Sequence, residues 1–401
     1  MKTAAIIGEF NPFHNGHKLI AEKAREFGAD RVIALMSGDY VQRGVPAITN
    51  RHVRARMALL GGLDAVLSYP TRYATSSAES FADHAVRMLN HLGCVDMLVF
   101  GSESGDLDAL SRCADALVSE SDEFKEKLRQ GLKEGLSFPK ARAEALPEFA
   151  DLLREPNNIL AIEYLKALKR TKSTIVPFTQ KRIGQSHIDD SVLTELSSAS
   201  AVRKALALGN NFPGLEIALP PESIDALRDD IGVYGVTTEN DYSLLLIDRL
   251  WKLGEPFLLN YYLEMTDELA HTIVKKRNTF TSFDDFADRC KSKNITLTHI
   301  YRAFLHIILD MKKDDRLDGD NAFYTRMIGF REASTDVVSL IQKSSDIPVV
   351  MNPPAEADRL RPDQRRLFDE EQQVTNLYES VRAQKWHQPF ENVFTKPIVK
   401  V

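Results

Sequence analysis

The chain has 401 residues, 43% of them apolar and 27% charged, with a formal net charge of −6. That length supports two domains or three with sizeable cores, and the acidic balance excludes a uniformly basic surface, so a nucleic-acid partner would need a local basic face. The three scattered cysteines, Cys94, Cys113 and Cys290, show no C-x-x-C spacing and indicate neither a disulfide framework nor a zinc site; no signal-peptide pattern or membrane-length apolar run is present, so a cytoplasmic location is expected.

The first predicted element is a strand over 3–7, an apolar run of the kind buried in a parallel sheet. Asn11-Pro12 interrupts it, because proline lacks an N–H and restrains the residue before it. His14-Asn15-Gly16-His17 follows, opening a helix over 17–27. A helix N-terminus presents free N–H groups and a positive dipole end to a phosphate, and Gly16 lets a ligand approach the backbone. His14 and His17, three apart, face the same side of the first turn and can both donate to a phosphoryl group as its charge rises. Two histidines at this spacing also fit a metal half-site or plain surface residues, but no third ligand of suitable spacing accompanies them, and no metal site is assigned. The position after the first strand, where doubly wound sheets hold their ligands, favours the nucleotide reading.

Further strands are predicted over 31–36, 65–68, 97–100 and 174–178, alternating with helices over 51–60, 77–92 and 106–119. This rhythm predicts an α/β fold with a doubly wound parallel sheet in residues 1–215, carrying a helical insertion over about 106–170. The loops after the strands should converge on one site. Among them, 37–44 (S-G-D-Y-V-Q-R-G) reads equally as a substrate loop or a turn, and Arg182 and Ile183 follow the last strand as candidate ligand contacts. Pro156-Asn157-Asn158 begins an amphipathic helix that asparagine would cap. Ser197-Ser198-Ala199-Ser200-Ala201-Val202-Arg203 is an N-cap signal; its hydroxyls, free N–H groups and Arg203 also suit the outer phosphates of a nucleotide.

Gly, Asn and Pro cluster over 209–221, and beyond them the alternation disappears. Residues 216–401 are expected to form a mainly helical domain, with helices over 242–253 and 297–311, a strand or two in the tail, and an acidic helix around 369–381. Its basic segments include Lys275, Lys276, Arg277, Lys291 and Lys293. They read either as a solvated helical face or as a phosphate-contacting face for RNA, with Arg43 and the 51–56 arginines as the fallback RNA site.

The H-x-G-H and S-S-x-S-x-x-R pair resembles the HIGH-type nucleotidyltransferase superfamily. The string E-F-N-P-F-H-N-G-H at 9–17 more specifically resembles the bacterial tRNA(Met) cytidine acetate ligases. Further matches are S-G-D-Y-V-Q-R-G-V-P-A at 37–47, S-S-A-E-S-F-A at 76–82, F-G-S-E-S-G-D at 100–106, P-N-N-I-L-A-I-E-Y-L at 156–165 and K-R-I-G at 181–184. A weaker match continues at 296–309, whereas the tail beyond 355 matches no quoted family pattern. The resemblance implies an ATP-dependent ligase that adenylates acetate and passes the acetyl group to N4 of the wobble cytidine, C34, of elongator tRNA(Met). It places ATP against Ile7, Gly8, Glu9, Phe10, Asn11, Pro12, Phe13, His14, Asn15, Gly16, His17, Lys18, Leu19 and Ile20, and against Gly101, Asn158 in preference to Asn157, Arg182, Ile183 and Ser200. His14, His17 and Arg203 would be catalytic, Mg2+ would accompany the nucleotide, and the C-terminal half would bind tRNA. A small-molecule adenylyl- or cytidylyltransferase would use the same motifs but needs little beyond the sheet domain. A non-catalytic RNA-binding protein on this fold would not need intact His14, Gly16, His17 and Arg203.

Overall fold

In the computed structural model, which describes residues 1–182, 193–207 and 214–401, ten strands follow in chain order. They are β1 (Thr3–Gly8), β2 (Arg31–Ser37), β3 (Tyr40–Val41), β4 (Val45–Pro46), β5 (Ala65–Tyr69), β6 (Met97–Ser102), β7 (Val176–Lys181), β8 (Thr325–Phe330), β9 (Val349–Val350) and β10 (Val399–Lys400). The main sheet runs β10-β8-β5-β2-β1-β6-β7, with β9 added beside β8 and β3–β4 forming a separate hairpin. From β5 to β7 every pairing is parallel, and the order reverses around β1, between β2 and β6. Such a reversal opens a crevice at the carboxyl ends of the strands.

The strand residues alternate between two buried faces. Ala5, Ile33, Leu35, Leu67 and Leu98 meet the helices Ala78–Leu92, Leu107–Ser119 and Pro156–Arg170 on one side. Ile6, Val32, Ala34, Val66 and Val99 share the other core with residues of Asn15–Glu26, Arg51–Leu60, Ala199–Ala207 and Pro221–Tyr234. The expected insertion over 106–170 is therefore in large part the covering layer of the sheet: both its first and last helices lie in that core. Among the described residues no helix is long and apolar enough to cross a membrane.

The expected division at residue 215 does not follow the packing. Leu219, Ile224 and Leu227 belong to a sheet core, and β8 enters the main sheet antiparallel to β5. A helical unit with its own core spans only about 242–311, and even this core includes Tyr40 of the hairpin and Val374 and Tyr378 of the long helix Pro362–Lys385. The physical reason is the open side of β5, whose unpaired N–H and C=O groups find their partner in β8 and not in the described residues of the first 215.

Candidate active site

The site forms at the carboxyl end of β1, where the chain turns into the helix Asn15–Glu26. Phe10 and Phe13 are buried wedges beneath it. A Cβ at Gly8 would lie 2.7 Å from the Phe10 ring, and one at Gly61 would lie 2.2 Å from that of Phe13. The Phe10 ring meets His17 edge-on at 5.0 Å. Phe10 and Phe13 thus shape the ground under the imidazoles.

His14 and His17 cap the helix with their rings, their centroids 3.8 Å apart. His14 Nδ1 accepts from Gly16 N at 3.0 Å, and His17 Nδ1 accepts from the His14 N–H at 3.2 Å. With both Nδ1 lone pairs engaged, the network assigns the proton of each neutral ring to Nε2. Burial, then Arg182 and Arg203, pulls the His14 pKa down to about 3. Burial, then His14 and Arg182, holds His17 well below its ordinary value. At neutral pH the pair is therefore two uncharged N–H donors with fixed orientation. Such a pair can meet developing charge on a phosphoryl oxygen without exchanging a proton itself.

Arg203 reaches this turn from the helix Ala199–Ala207, donating from Nη1 to Asn11 O at 2.8 Å and from Nη2 to Ser200 Oγ at 3.1 Å. Ser198 caps that helix by accepting from Ala201 N, and Ser197 Oγ accepts from Thr194 N at 2.7 Å. Asn11 Oδ1 accepts from Ile48 N, while its buried Nδ2 has no hydrogen-bond partner among the described residues. A buried donor without a partner is costly unless something fills its place.

The other predicted contacts divide. Gly101 faces Ile20 and the stem of Arg182: an added Cβ would stand 3.6 Å from Ile20 Cδ1 and 3.2 Å from Arg182 Cγ. These three do come together beside the histidines. Asn158 is buried, and its Oδ1 accepts from Ser104 N, fixing the loop after β6. Asn15 Nδ2 instead ties Glu195 O and Ile217 O, and Lys18 pairs with Glu222, so these side chains brace the site's outer edge. Ile183 lies outside the described residues.

Sequence reasoning missed the structural roles of three fixtures. Glu103, not an asparagine, caps the helix Pro156–Arg170: its carboxylate accepts from the N–H groups of Asn157 and Asn158 at 3.1 and 2.7 Å. Its signal was present as the glutamate of F-G-S-E-S-G-D. Glu9 accepts from Gln42 N at 3.0 Å, joining the nucleotide loop to the hairpin. Arg51 and Arg54 are fully buried, which removes them as RNA contacts. Arg51 bridges Asp39 at 2.8 Å and Glu371 at 2.7 Å, and Arg54 donates to the carbonyls of Glu9, Ser37 and Gly38. Burial works to raise the Asp39 pKa, but Arg51 and Arg54 more than reverse this and hold the carboxyl below its usual range. The S-G-D-Y loop is therefore a rigid, charge-balanced support.

The proposed basic face is largely occupied with itself. Lys276 donates to Arg289 O, Lys291 pairs with Asp288, and Arg277 donates to Gly254 O at 2.8 Å while lying 4.7 Å over Trp251. Lys275 and Lys293 are exposed.

A three-two-one-four-five parallel core with two capping histidines at its switch point defines a nucleotidyltransferase of the HIGH class, and the family profile described as HIGH Nucleotidyl Transferase matches residues 1–392. Within that class the chain belongs to the tRNA(Met) cytidine acetate ligase family. The protein of that name from Clostridium perfringens (strain SM101 / Type A) is 37% identical over 372 residues, covering 87% of this chain and 89% of the relative. Its namesake from Acetivibrio thermocellus is 34% identical over 394 residues, covering 94% of each. The crystal structure of Thermotoga maritima TmcAL (apo, form I) superposes with a TM-score of 0.91 at 28% identity over 100% of both chains. The same protein bound with alpha-thio ATP superposes with a TM-score of 0.89 at 28% identity, again over 100% of both chains.

Proposed function

We propose that this protein is an ATP-dependent ligase that activates acetate as acetyl-adenylate and transfers the acetyl group to N4 of the wobble cytidine of elongator tRNA(Met), in the cytoplasm. The observation that carries the reading is the pair of neutral, Nε2-protonated histidines at the end of β1. The activity named for its relatives and the ATP analogue held by the Thermotoga protein support it.

Acetate supplies its own nucleophilic oxygen, so the protein needs no covalent nucleophile. Attack on the α-phosphorus forms the mixed anhydride and expels pyrophosphate. The task left to the chain is positioning and charge stabilisation. His14 and His17 donate to the phosphoryl oxygens, and Asn11 Nδ2 is a further donor at the same strand end. Arg203 and Ser200 take the departing phosphates, while Gly101, Ile20 and Arg182 line the side of the nucleotide. Among the described residues no group of three His, Cys, Asp or Glu side chains is arranged to hold a metal. Mg2+ would accompany the triphosphate and shield its charge. The tRNA is placed against the helical unit, with Lys275 and Lys293 as its exposed cations.

The test is purified protein with labelled acetate, ATP and total tRNA, followed by nucleoside analysis. Label in N4-acetylcytidine, dependent on ATP, supports the reading; ATP turnover with no label in RNA overturns it in favour of a small-molecule transferase.

A further inference from the structure

The histidine turn has a second wall, built by the hairpin and the helical unit. The turn between β3 and β4 presses on the helix Leu297–Ile308. At Gly44, where φ is +80°, an added Cβ would lie 2.3 Å from Arg302 N and 2.5 Å from Tyr301 C. That approach is backbone on backbone, and it fixes Arg43 at the junction. The segment leading into the helical unit is tied to the same place by another route. Thr237 N donates to Ile48 O at 3.2 Å, and Ile48 N donates to Asn11 Oδ1 at 2.9 Å. A few residues on, Tyr242 meets Tyr40 hydroxyl to hydroxyl at 3.2 Å. Glu239 lies between these anchors.

The charges converge accordingly. Glu9, Arg43 and Glu239 are the groups acting electrostatically on Arg203, whose guanidinium rests on Asn11 three residues before His14. Half-buried Tyr301 lies within the field of Glu239. Among the described residues the Glu239 carboxylate has no basic or hydroxyl side chain bonded to it; it leans on its own backbone N–H. Arg43 is exposed and likewise has no acidic partner within bonding distance. The roles proposed above for ATP leave this half-buried carboxylate, which lies in the field of Arg203, without a task.

We propose that this junction is the subsite for the acceptor base, and that Glu239 binds the exocyclic amine of the incoming cytidine and takes its proton during acyl transfer. The inference rests on the ligase reading above. A carboxylate accepting from cytosine N4 is the usual pairing of that base edge with an acidic side chain. The amine is a poor nucleophile because its lone pair is delocalised into the ring, so a base at the proton is useful. In the step, N4 attacks the acyl carbon and the new C–N bond forms. The bond from that carbon to the phosphate oxygen breaks, AMP leaves with the electron pair, and the N4 proton passes to the Glu239 carboxylate.

The surroundings suit a base. Burial raises the Glu239 pKa, with Asp284 and Asp241 adding to the rise and its own N–H and Arg203 opposing it. Tyr301 is a further titratable group within its field, and burial pushes that phenol above its ordinary range. The carboxylate is thus a stronger base than one in open water.

The experiment separates the two half-reactions in the full-length protein. Glu239→Gln and Glu239→Asp are compared with the wild type in acetate-dependent ATP–pyrophosphate exchange, and in single-turnover transfer from preformed labelled acetyl-adenylate to tRNA. The expected result is a transfer rate lowered about 10²–10⁴-fold in Glu239→Gln. Exchange and the KM for tRNA should stay within a few-fold, and Glu239→Asp should recover part of the loss. The transfer pH profile should lose its acid limb in Glu239→Gln. Transfer at the wild-type rate overturns the proposal, as does a parallel fall in exchange, or a loss confined to the KM for tRNA. A wild type with no acetate-dependent exchange would overturn the ligase reading itself, an outcome distinguishable from any behaviour of the variants.

Discussion

Two groups of ion pairs in this molecule use the same kinds of side chain to opposite ends. Around the S-G-D-Y loop, Arg51 lies between Asp39 and Glu371 with all three side chains buried, and Glu371 Oε2 also accepts from Thr71 N at 2.8 Å. In the helical unit, Arg289 pairs with Asp285 and Lys291 with Asp288 at the open surface. The buried group cannot exchange partners without leaving a charge stranded in low dielectric, so it fixes geometry. The exposed group is held weakly, screened by salt, and its cations can be released to a competing phosphate. One set builds the support beneath the histidine turn; the other balances charges at the open surface of a protein of net charge −6.

The comparison breaks first, and hardest, at the buried end. Removing one partner of a buried, hydrogen-bonded pair costs about 3–5 kcal/mol. Glu371→Ala should show that loss in urea unfolding, whereas Asp288→Ala should leave the midpoint nearly unmoved. Equal shifts for the two would end the distinction.

The histidine turn is the next test. His14→Ala and His17→Ala should each lower acetyl-adenylate formation by roughly 10²–10³, the equivalent of about 2.7–4 kcal/mol for one lost donor to developing charge. Each also removes a helix cap, at roughly 0.5–2 kcal/mol of stability, so circular dichroism melts should confirm a folded enzyme at assay temperature. Near-wild-type adenylation in both variants would remove the histidines from the mechanism.

Acid sharpens the comparison further, because the buried imidazoles are uncharged in the folded state. Burial lowers His14 and His52 to about 3 and His306 to about 4. In the unfolded chain each returns to about 6.5 and takes up a proton below that pH. The stability these neutral rings contribute is therefore full above pH 6.5 and is lost progressively as pH falls toward the folded values. Each should cost about 2 kcal/mol at pH 5. A melting temperature that holds constant from pH 7 to pH 5 would contradict their burial.

The smallest effect belongs to the surface. Replacing Lys275, Lys276 and Arg277 with alanine should flatten the salt dependence of tRNA binding, each lost phosphate contact removing about 0.7–0.9 from the slope. Because Lys276 and Arg277 are spent on Arg289 O, Gly254 O and Trp251, the change expected is nearer one contact than three. An unchanged slope would move the RNA site to another face.

Much of the sheet was legible because its signals are local. Strands predicted over 31–36 and 65–68 lengthen by only a residue, to Arg31–Ser37 and Ala65–Tyr69, and the helix over 51–60 is found as Arg51–Leu60. The histidine turn was legible for the same reason: residues three apart at a helix start share a face whatever surrounds them. Three features were not. The return of β8 to β5 joins segments far apart in the chain, and nothing in T-R-M-I-G-F names its partner. The capping of Asn157 and Asn158 by Glu103 reverses the donor and acceptor roles that propensity assigns to asparagine. The burial of Arg51 and Arg54 depends on Asp39 and Glu371, and sequence treats arginine in a helix as solvated until such partners are known.

The late arrival of β8 bears on how the protein is made. At roughly 5–20 residues per second, a ribosome reaches Thr325 on the order of ten to fifty seconds after Ala65. For that interval the nascent chain carries β5 as an open apolar border, A-V-L-S-Y, every residue of which is buried in the finished molecule. Such a border is a template for pairing with a neighbouring chain. Synthesis speed and chaperone cover over this window, more than the stability of the completed enzyme, should govern soluble yield, and a chain terminated near residue 215 would keep the border open permanently.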